Sequence, residues 1–302
     1  MSHLHFRSVY LFLAMILLLT LASCEKEVHI KLATSPTKLV VQGAVENGIP
    51  PYVILTSTIG FFSTVDLTTL SNSFIHGADI KVSDGANTVS LVEYSLDTAG
   101  GNKFYVYSID TANLSGLMLG EFEKTYSLTI VYNGITYTSV TKIPTPKGID
   151  SMWFDLPLSG STKIPPNAKQ LFINYSDPDT LGNNVRYFTK KNSEQFYASD
   201  QLNDEVVNGK LITDIPLYAG FDNVQNAKED SLRYFYPGDT VILKWSAIDK
   251  KVYNFWNSFA YATNSLGNPF ATPINLQTNM TNGALGVWAG YGSVQTTKVV
   301  PH

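Results

Sequence analysis

The chain has 302 residues, 44% of them hydrophobic and 15% charged, with 17 Tyr and 16 Phe, a composition that excludes a disordered stalk and points to a packed β-rich body. A formal net charge of −4 excludes the basic footprint of a nucleic-acid binder or a polybasic membrane patch. The single cysteine, Cys24, excludes an internal disulfide and a cysteine metal cluster.

The chain opens on a leader. His3, His5 and Arg7 precede an uncharged apolar run over residues 9–21, and Leu21-Ala22-Ser23-Cys24 stands directly before Glu25-Lys26-Glu27. This is the layout of a lipobox signal peptide. The run is shorter than the roughly 20 residues a membrane span needs, so cleavage before Cys24 is preferred over an uncleaved anchor. Residues 1–23 are expected to be removed, Cys24 to carry lipid, and residues 24–38 to tether the body to a membrane surface. The acidic and basic mixture after Cys24 reads either as a surface-export signal or as a solvated linker.

Period-two alternation begins at residues 39–45 and continues over 52–56 after a turn at Asn47-Gly48-Ile49-Pro50-Pro51. A long loop over 59–77 carries Phe61 and Phe62 and is a candidate contact surface. Residues 78–83 alternate cleanly, and 89–94 and 104–107 extend the meander. Residues 126–132 and 135–140 flank Asn133-Gly134, the signature of a type I′ hairpin, in which both turn residues need positive φ. Two prolines and a glycine at 143–148 mark a domain boundary. The expected architecture is all-β: an N-terminal β-sandwich over 39–143 and a C-terminal β-rich domain over 149–302.

In the second part, strands are expected at 151–154, 171–175, 185–189 and 241–245, with 199–210 and 213–230 as long connections, the latter, like 59–77, a loop expected to make partner or ligand contacts. Asp249 is placed to cap a helix whose Val252, Phe255, Trp256 and Phe259 fall at i, i+3, i+4 and i+7. An apolar, glycine-rich run follows at 283–291. Residues 295–300 are read either as a strand completing its own sheet or as a donor strand for another subunit.

Motifs that carry chemistry are absent. There is no HExxH or CxxC spacing, no GxSxG elbow, no GxxxxGK[ST] loop, and apart from the terminal His302, His76 is the only histidine inside a predicted domain. No catalytic residue, metal or cofactor is therefore assigned. Asp177, Asp179 and Asn183 offer oxygens at a spacing that suits calcium, but lack the glycine and distal glutamate of an EF-hand loop and read better as an Asx turn. Trp153, Trp245, Trp256 and Trp288 all fall in predicted strands or the helix stripe and are expected in the core.

One pattern exceeds its background. Asp, then Ser or Thr, then an apolar residue or Thr occurs at Asp97-Thr98, Asp110-Thr111, Asp150-Ser151, Asp179-Thr180, Asp230-Ser231 and Asp239-Thr240, where random placement gives about one. It is similar to the O-glycosylation sequon of exported Bacteroidota proteins, which makes Thr98, Thr111, Ser151, Thr180, Ser231 and Thr240 candidate acceptors. Asp-Thr leading into an apolar run is also an ordinary turn-to-strand junction.

The lipobox, Val40-Val41-Gln42-Gly43, the Asn133-Gly134 hairpin, Asp177-Pro178 followed by Asn184-Val185-Arg186-Tyr187, Pro237-Gly238-Asp239 and the ending over 275–291 together resemble a family. It is the domain-of-unknown-function outer-membrane lipoproteins of the Bacteroidota found beside TonB-dependent receptors. The resemblance implies two β-rich domains, the first similar to an immunoglobulin or transthyretin-like sandwich. It further implies a non-catalytic accessory role in uptake at the outer membrane, facing the cell exterior, with a TonB-dependent receptor as partner and a ligand the sequence does not name. A structural or adhesive surface protein is the alternative.

Overall fold

Asn133 and Gly134 have φ of 50° and 75°, as the type I′ turn requires, and the strands they join run in register from Thr125↔Lys142 to Tyr132↔Ile135. The computed structural model describes residues 36–59, 66–97, 101–113, 116–158, 164–220, 233–265 and 275–302. Cys24, Phe61, Phe62, Thr98 and Ser231 lie outside the described residues.

In chain order β1 (Leu39–Glu46), β2 (Ile49–Ser57), helix α1 (Leu67–Asn72), β3 (Asp79–Ser83), β4 (Thr88–Asp97), β5 (Lys103–Ile109), β6 (Thr125–Tyr132) and β7 (Ile135–Lys142) precede the linker. After it come β8 (Ser151–Asp155), β9 (Gln170–Ser176), β10 (Asn184–Lys191), β11 (Tyr197–Leu202), β12 (Leu211–Leu217), β13 (Thr240–Ile248), helix α2 (Lys250–Asn264) and β14 (Leu285–Val299). The fold is all-β and sandwich-like. One eleven-stranded sheet has the order β11-β10-β13-β14-β1-β2-β5-β4-β3-β6-β7, and a three-stranded sheet has the order β12-β9-β8.

The alternation works as the sequence dictates in β3, where Ile80 and Val82 are fully buried and Asp79 and Lys81 are exposed. Four segments differ from expectation. β2 begins at Ile49 and takes in Pro50 and Pro51; the ladder to β1 is irregular there and β5 pairs only with Tyr52 and Val53, so the missing N–H groups break no regular pairing. The expected loop over 59–77 contains α1, capped by Asp66 Oδ1, which accepts from Thr69 N at 2.6 Å. The connections expected at 199–210 and 213–230 contain β11 and β12. β11 carries Ser199, Asp200 and Gln201 in a row and has no buried residue, and in β12 Asp214 takes a φ of 55° where the register to β9 shifts, so neither segment shows a clean two-residue period.

Residues Thr37–His302 form one compact unit with separate cores. Strands β1 to β7 enclose the first, around Val53, Ile80, Tyr126, Leu128 and Ile130. β8 to β10, β12 and β13 enclose the second, around Leu171, Tyr187, Leu243 and Trp245. The linker over 143–148 separates these cores but not the sheet, because β14 belongs to both halves. Its first part pairs parallel with β1, from Val40↔Leu285 to Glu46↔Tyr291, and its second part pairs antiparallel with β13, from Ala247↔Gly292 to Thr240↔Val299. The strand end at 295–299 is thus paired within its own sheet, which overturns the donor-strand reading.

Residues 286–293 of β14 are buried without interruption, on both faces. Trp288 points into the first core and donates its indole N–H to Tyr126 O at 3.0 Å. Val287, Ala289 and Tyr291 point the other way, under α2. Backbone groups in such a strand need partners, and side chains supply those the ladders do not. Asn279 brackets Trp288, accepting from its N at 2.9 Å and donating to its O at 2.8 Å. Asn47 does the same for Ser293, where β14 changes partner. Gly290 N donates to Thr141 Oγ1 at 2.8 Å.

The glycines follow from the same crowding. A Cβ on Gly290 would lie 2.1 Å from Lys142 O, and one on Gly292 1.7 Å from Pro144 O. Gly292→Ala is therefore expected to destabilise the chain by about 3 kcal/mol or more, since backbone faces backbone and neither side chain can yield. Gly148→Ala, whose Cβ would meet nothing nearer than Val294 Cγ2 at 4.0 Å, is expected to stay within about 0.5 kcal/mol of wild type. Urea unfolding of the two variants checks both.

Glu123 ties the linker to the first half. Its carboxylate pairs with Lys142 Nζ at 2.6 Å and accepts from Thr145 N and Oγ1 at 2.7 and 2.8 Å, and these contacts, Lys142 foremost, hold it down at about 2. A depressed carboxylate contributes stability above its unfolded value of 4.5 and loses it as pH falls toward 2. Glu123→Gln is expected to lower stability at pH 7 by less than about 1 kcal/mol, the pair being exposed and screened. The gap to wild type should close between pH 4.5 and about 2 in a pH series of thermal melts.

Candidate functional site

β10 has its two faces in different surroundings. Val185 and Tyr187 pack into the second core, while Arg186 and Phe188 face α2 and β14. The guanidinium carbon of Arg186 sits 3.4 Å from the ring centroid of Trp256, on α2, a stacked cation–π contact. Its Nη1 donates to Tyr291 OH at 3.1 Å, and Trp256 Nε1 donates to the same oxygen at 3.0 Å. One phenol on β14 therefore locks both stacking partners. Phe188 closes the group edge-on against Tyr291 at 5.7 Å.

α2 is held in place to make this contact. Asp249 caps it, accepting from Val252 N at 2.9 Å through one oxygen and from Thr141 Oγ1 at 2.9 Å through the other. Val252 and Phe255 are buried, but Phe259, the last residue of the predicted apolar stripe, remains 42% exposed. The stripe is half core and half cleft wall.

A second cation lies on the same face. Lys244 is directly opposite Phe188 in the β10–β13 ladder, and its Nζ pairs with Glu46 Oε2 at 3.0 Å, with side chains only 12% and 14% exposed. That pair is internally neutral. Among the described residues Arg186 makes no ion pair, and its Nε is buried without a hydrogen-bond partner.

Arg186 and Trp256 stand at the junction of two adjoining cavities. The larger, about 350 Å³, runs between β11, with Ser199, Asp200 and Gln201, and α2, with Phe259 and Thr263. Tyr218, Ala219 and Gly220 close its third side. Gly220 fits because a Cβ there would lie 2.4 Å from Tyr197 O, and its N donates to Thr189 Oγ1 at 2.7 Å. The smaller cavity, about 200 Å³, is lined by Gln42, Glu46, Tyr52, Phe196 and Lys244. Burial pushes the Tyr52 hydroxyl up to about 12, with Tyr291 and Glu46 adding to the rise and Arg186 opposing it. Burial likewise pushes Tyr187 up to about 12 while its oxygen accepts from Ser199 Oγ and Tyr218 N, bracing the cleft wall from behind. Both phenols stay neutral at physiological pH.

The residues singled out from sequence fall elsewhere. Thr111, Ser151, Thr180 and Thr240 are all exposed, and none lines either cavity. Two of their aspartates serve turns, Asp110 accepting from Ala112 N and Asp239 from Tyr236 N, while Asp150 accepts from Ser176 N across the β8–β9 pair. Asn183 directs its amide N–H groups to Pro178 O and Thr180 O, and Asp177 accepts from Gly209 N, as in a braced turn. His76 bonds Glu93, which also accepts from Tyr107 OH at 2.8 Å. Among the described residues no three His, Cys, Asp or Glu side chains come together in a way that would hold a metal. Trp245 and Trp288 are core residues as expected, Trp153 stacks on Phe172, and Trp256 is the exception that meets a cation.

Of the loop regions expected to make contacts, 213–230 contributes Tyr218, Ala219 and Gly220 to the cleft. Arg186 and Trp256 were not singled out as a pair. The available signal was an arginine in a strand whose neighbours on both sides, Val185 and Tyr187, are core residues.

A search of curated proteins finds no match. A family profile matches residues 25–297, and on that span the chain belongs to the domain-of-unknown-function family DUF4249.

Proposed function

We propose that this chain is a non-catalytic lipoprotein of the outer membrane, anchored through Cys24 on the exterior face, which binds a ligand for a TonB-dependent uptake system of the Bacteroidota. The observation that carries the reading is the preformed cleft at Arg186, in which a cation locked by Trp256 and Tyr291 borders about 350 Å³ of accessible space. A concave site with a fixed cation, polar side chains on both walls and aromatic rings beside them is a binding surface. The Leu21-Ala22-Ser23-Cys24 motif supports the anchor, and membership of the DUF4249 family is consistent with the resemblance on which the receptor partnership rests. The adhesive alternative drew its specific support from a free terminal strand, and that strand is paired with β13.

The test is extraction of the chromosomally tagged protein from outer membranes, with partners and intact mass read by mass spectrometry. Stoichiometric recovery of a TonB-dependent receptor is expected; recovery alone, or with fimbrial or matrix proteins, would reject the uptake reading. Cys24→Ala is expected to abolish palmitate labelling and to release the protein from the membrane fraction. The same intact mass reads the proposed O-glycans: increments beyond the acylated polypeptide support glycosylation at Thr98, Thr111 and the related positions, and their absence rejects it.

A further inference from the structure

We propose that the cleft beside Arg186 takes a small hydroxylated carboxylate, a sugar acid by chemical class, with its carboxylate on the Arg186 guanidinium and its hydroxyls on the β11 wall. The inference rests on reading this cleft as the binding site and names the ligand chemistry for it.

The charges select the anion. Three cations line the two cavities: Glu46 neutralises Lys244 at 3.0 Å, Arg233 stands at the wall of the larger cavity, and among the described residues no carboxylate pairs with Arg186. Trp256 occupies one face of the guanidinium and Tyr291 one N–H of Nη1. Nε remains a buried donor without a partner among the described residues. A planar fork already fixed in place and lacking a counter-ion matches a planar carboxylate better than a point charge does. With a net charge of −4 the chain as a whole repels anions, so the attraction is local to this cleft.

The walls select the rest of the ligand. Ser199, Asp200 and Gln201 of β11 face Thr263 and Asn264 of α2 across the larger cavity. These are partners for hydroxyls, which both donate and accept. Asp200 also disfavours a second anion and calls for a donor at its end of the cleft. Phe259, 42% exposed, offers an apolar ring to a flat carbon face. A volume of about 350 Å³ lies at the small end of ligand pockets, which fits one or two sugar rings rather than a long chain.

Calorimetric titration of the full mature chain in detergent, with galacturonate, its methyl ester, propionate and free aspartate as probes, tests the assignment. Galacturonate is expected to bind about tenfold or more tighter than its ester, the range of one lost charged hydrogen bond, and tighter than propionate. Arg186→Lys should weaken galacturonate about tenfold while thermal unfolding stays cooperative. Asp200→Ala, at an exposed position, should narrow the preference for galacturonate over propionate and serves as the test if the Arg186 variant fails to fold. Equal binding of acid and ester, no acid binding by the folded wild type, or indifference to the folded Arg186 variant overturns the carboxylate assignment. Preference for aspartate over galacturonate overturns the hydroxyl assignment. Receptor recovery from the same preparation separates the two readings: acid binding lost with the receptor retained rejects only the ligand class, and the reverse rejects only the uptake role.

Discussion

Burial of β14 on both faces is the constraint from which the rest of the molecule follows. A strand with no solvent-facing side cannot tolerate an unpaired N–H or C=O group, so every neighbour of residues 286–293 is positioned by what the strand needs. β1 and β13 each supply one stretch of ladder, and Asn47, Thr141 and Asn279 supply bonds beyond those ladders. Close approach of Lys142 O and Pro144 O then demands glycine at 290 and 292. The face that carries Trp288 joins the last strand to the first core. The opposite face presents Tyr291 to the cleft. Core and cleft are thus two sides of one strand.

The electrostatics follow the same division. Glu46 and Lys244 are nearly buried and paired, and such a pair contributes little net stability because desolvation offsets the attraction. What the pair does is remove charge from the smaller cavity. Arg186 is treated differently. Its partners are a π-face and a neutral phenol, which hold its geometry without cancelling its charge. Tyr52 beside it is neutral, as any tyrosine is at physiological pH, so the local field of the guanidinium is not offset by a phenolate. An acidic protein therefore keeps one cation fixed in a concave, partly desolvated setting.

Much of this fold was legible in sequence because its signals are local. Alternation at 78–83, the Asn133-Gly134 turn and the Asp249 cap each depend on residues within a few positions of one another, and each took the expected form. What was not legible depended on distance or on weak polarity. β11 carries Ser199, Asp200 and Gln201 in sequence and forms an edge, where no buried face imposes alternation. The parallel pairing of β1 with β14 joins opposite ends of the chain, and no local pattern reports it. The cleft is harder still, since its parts come from β1, β10, β11, α2 and β14. Arg186 within Asn184-Val185-Arg186-Tyr187 registered as part of a family motif, while Trp256 registered as a core residue. Only their 3.4 Å stack shows that each explains the other.

That stack also bears on how the site gains affinity. Ordering a free arginine on a ligand costs side-chain entropy, and a cleft that must close costs more. Here the guanidinium is fixed before any ligand arrives, by an indole on a capped helix and a phenol on a strand buried on both faces. The walls are equally set: Tyr187 is anchored in the second core and holds Ser199 and Tyr218, and Gly220 is clamped between Thr189 and Tyr197. Strands and the helix contribute these groups apart from Tyr218 and Gly220, which follow the end of β12. On the proposed reading, binding would draw on preorganisation rather than closure, and discrimination between ligands would rest on whether a candidate presents its acceptor where the Arg186 fork already stands.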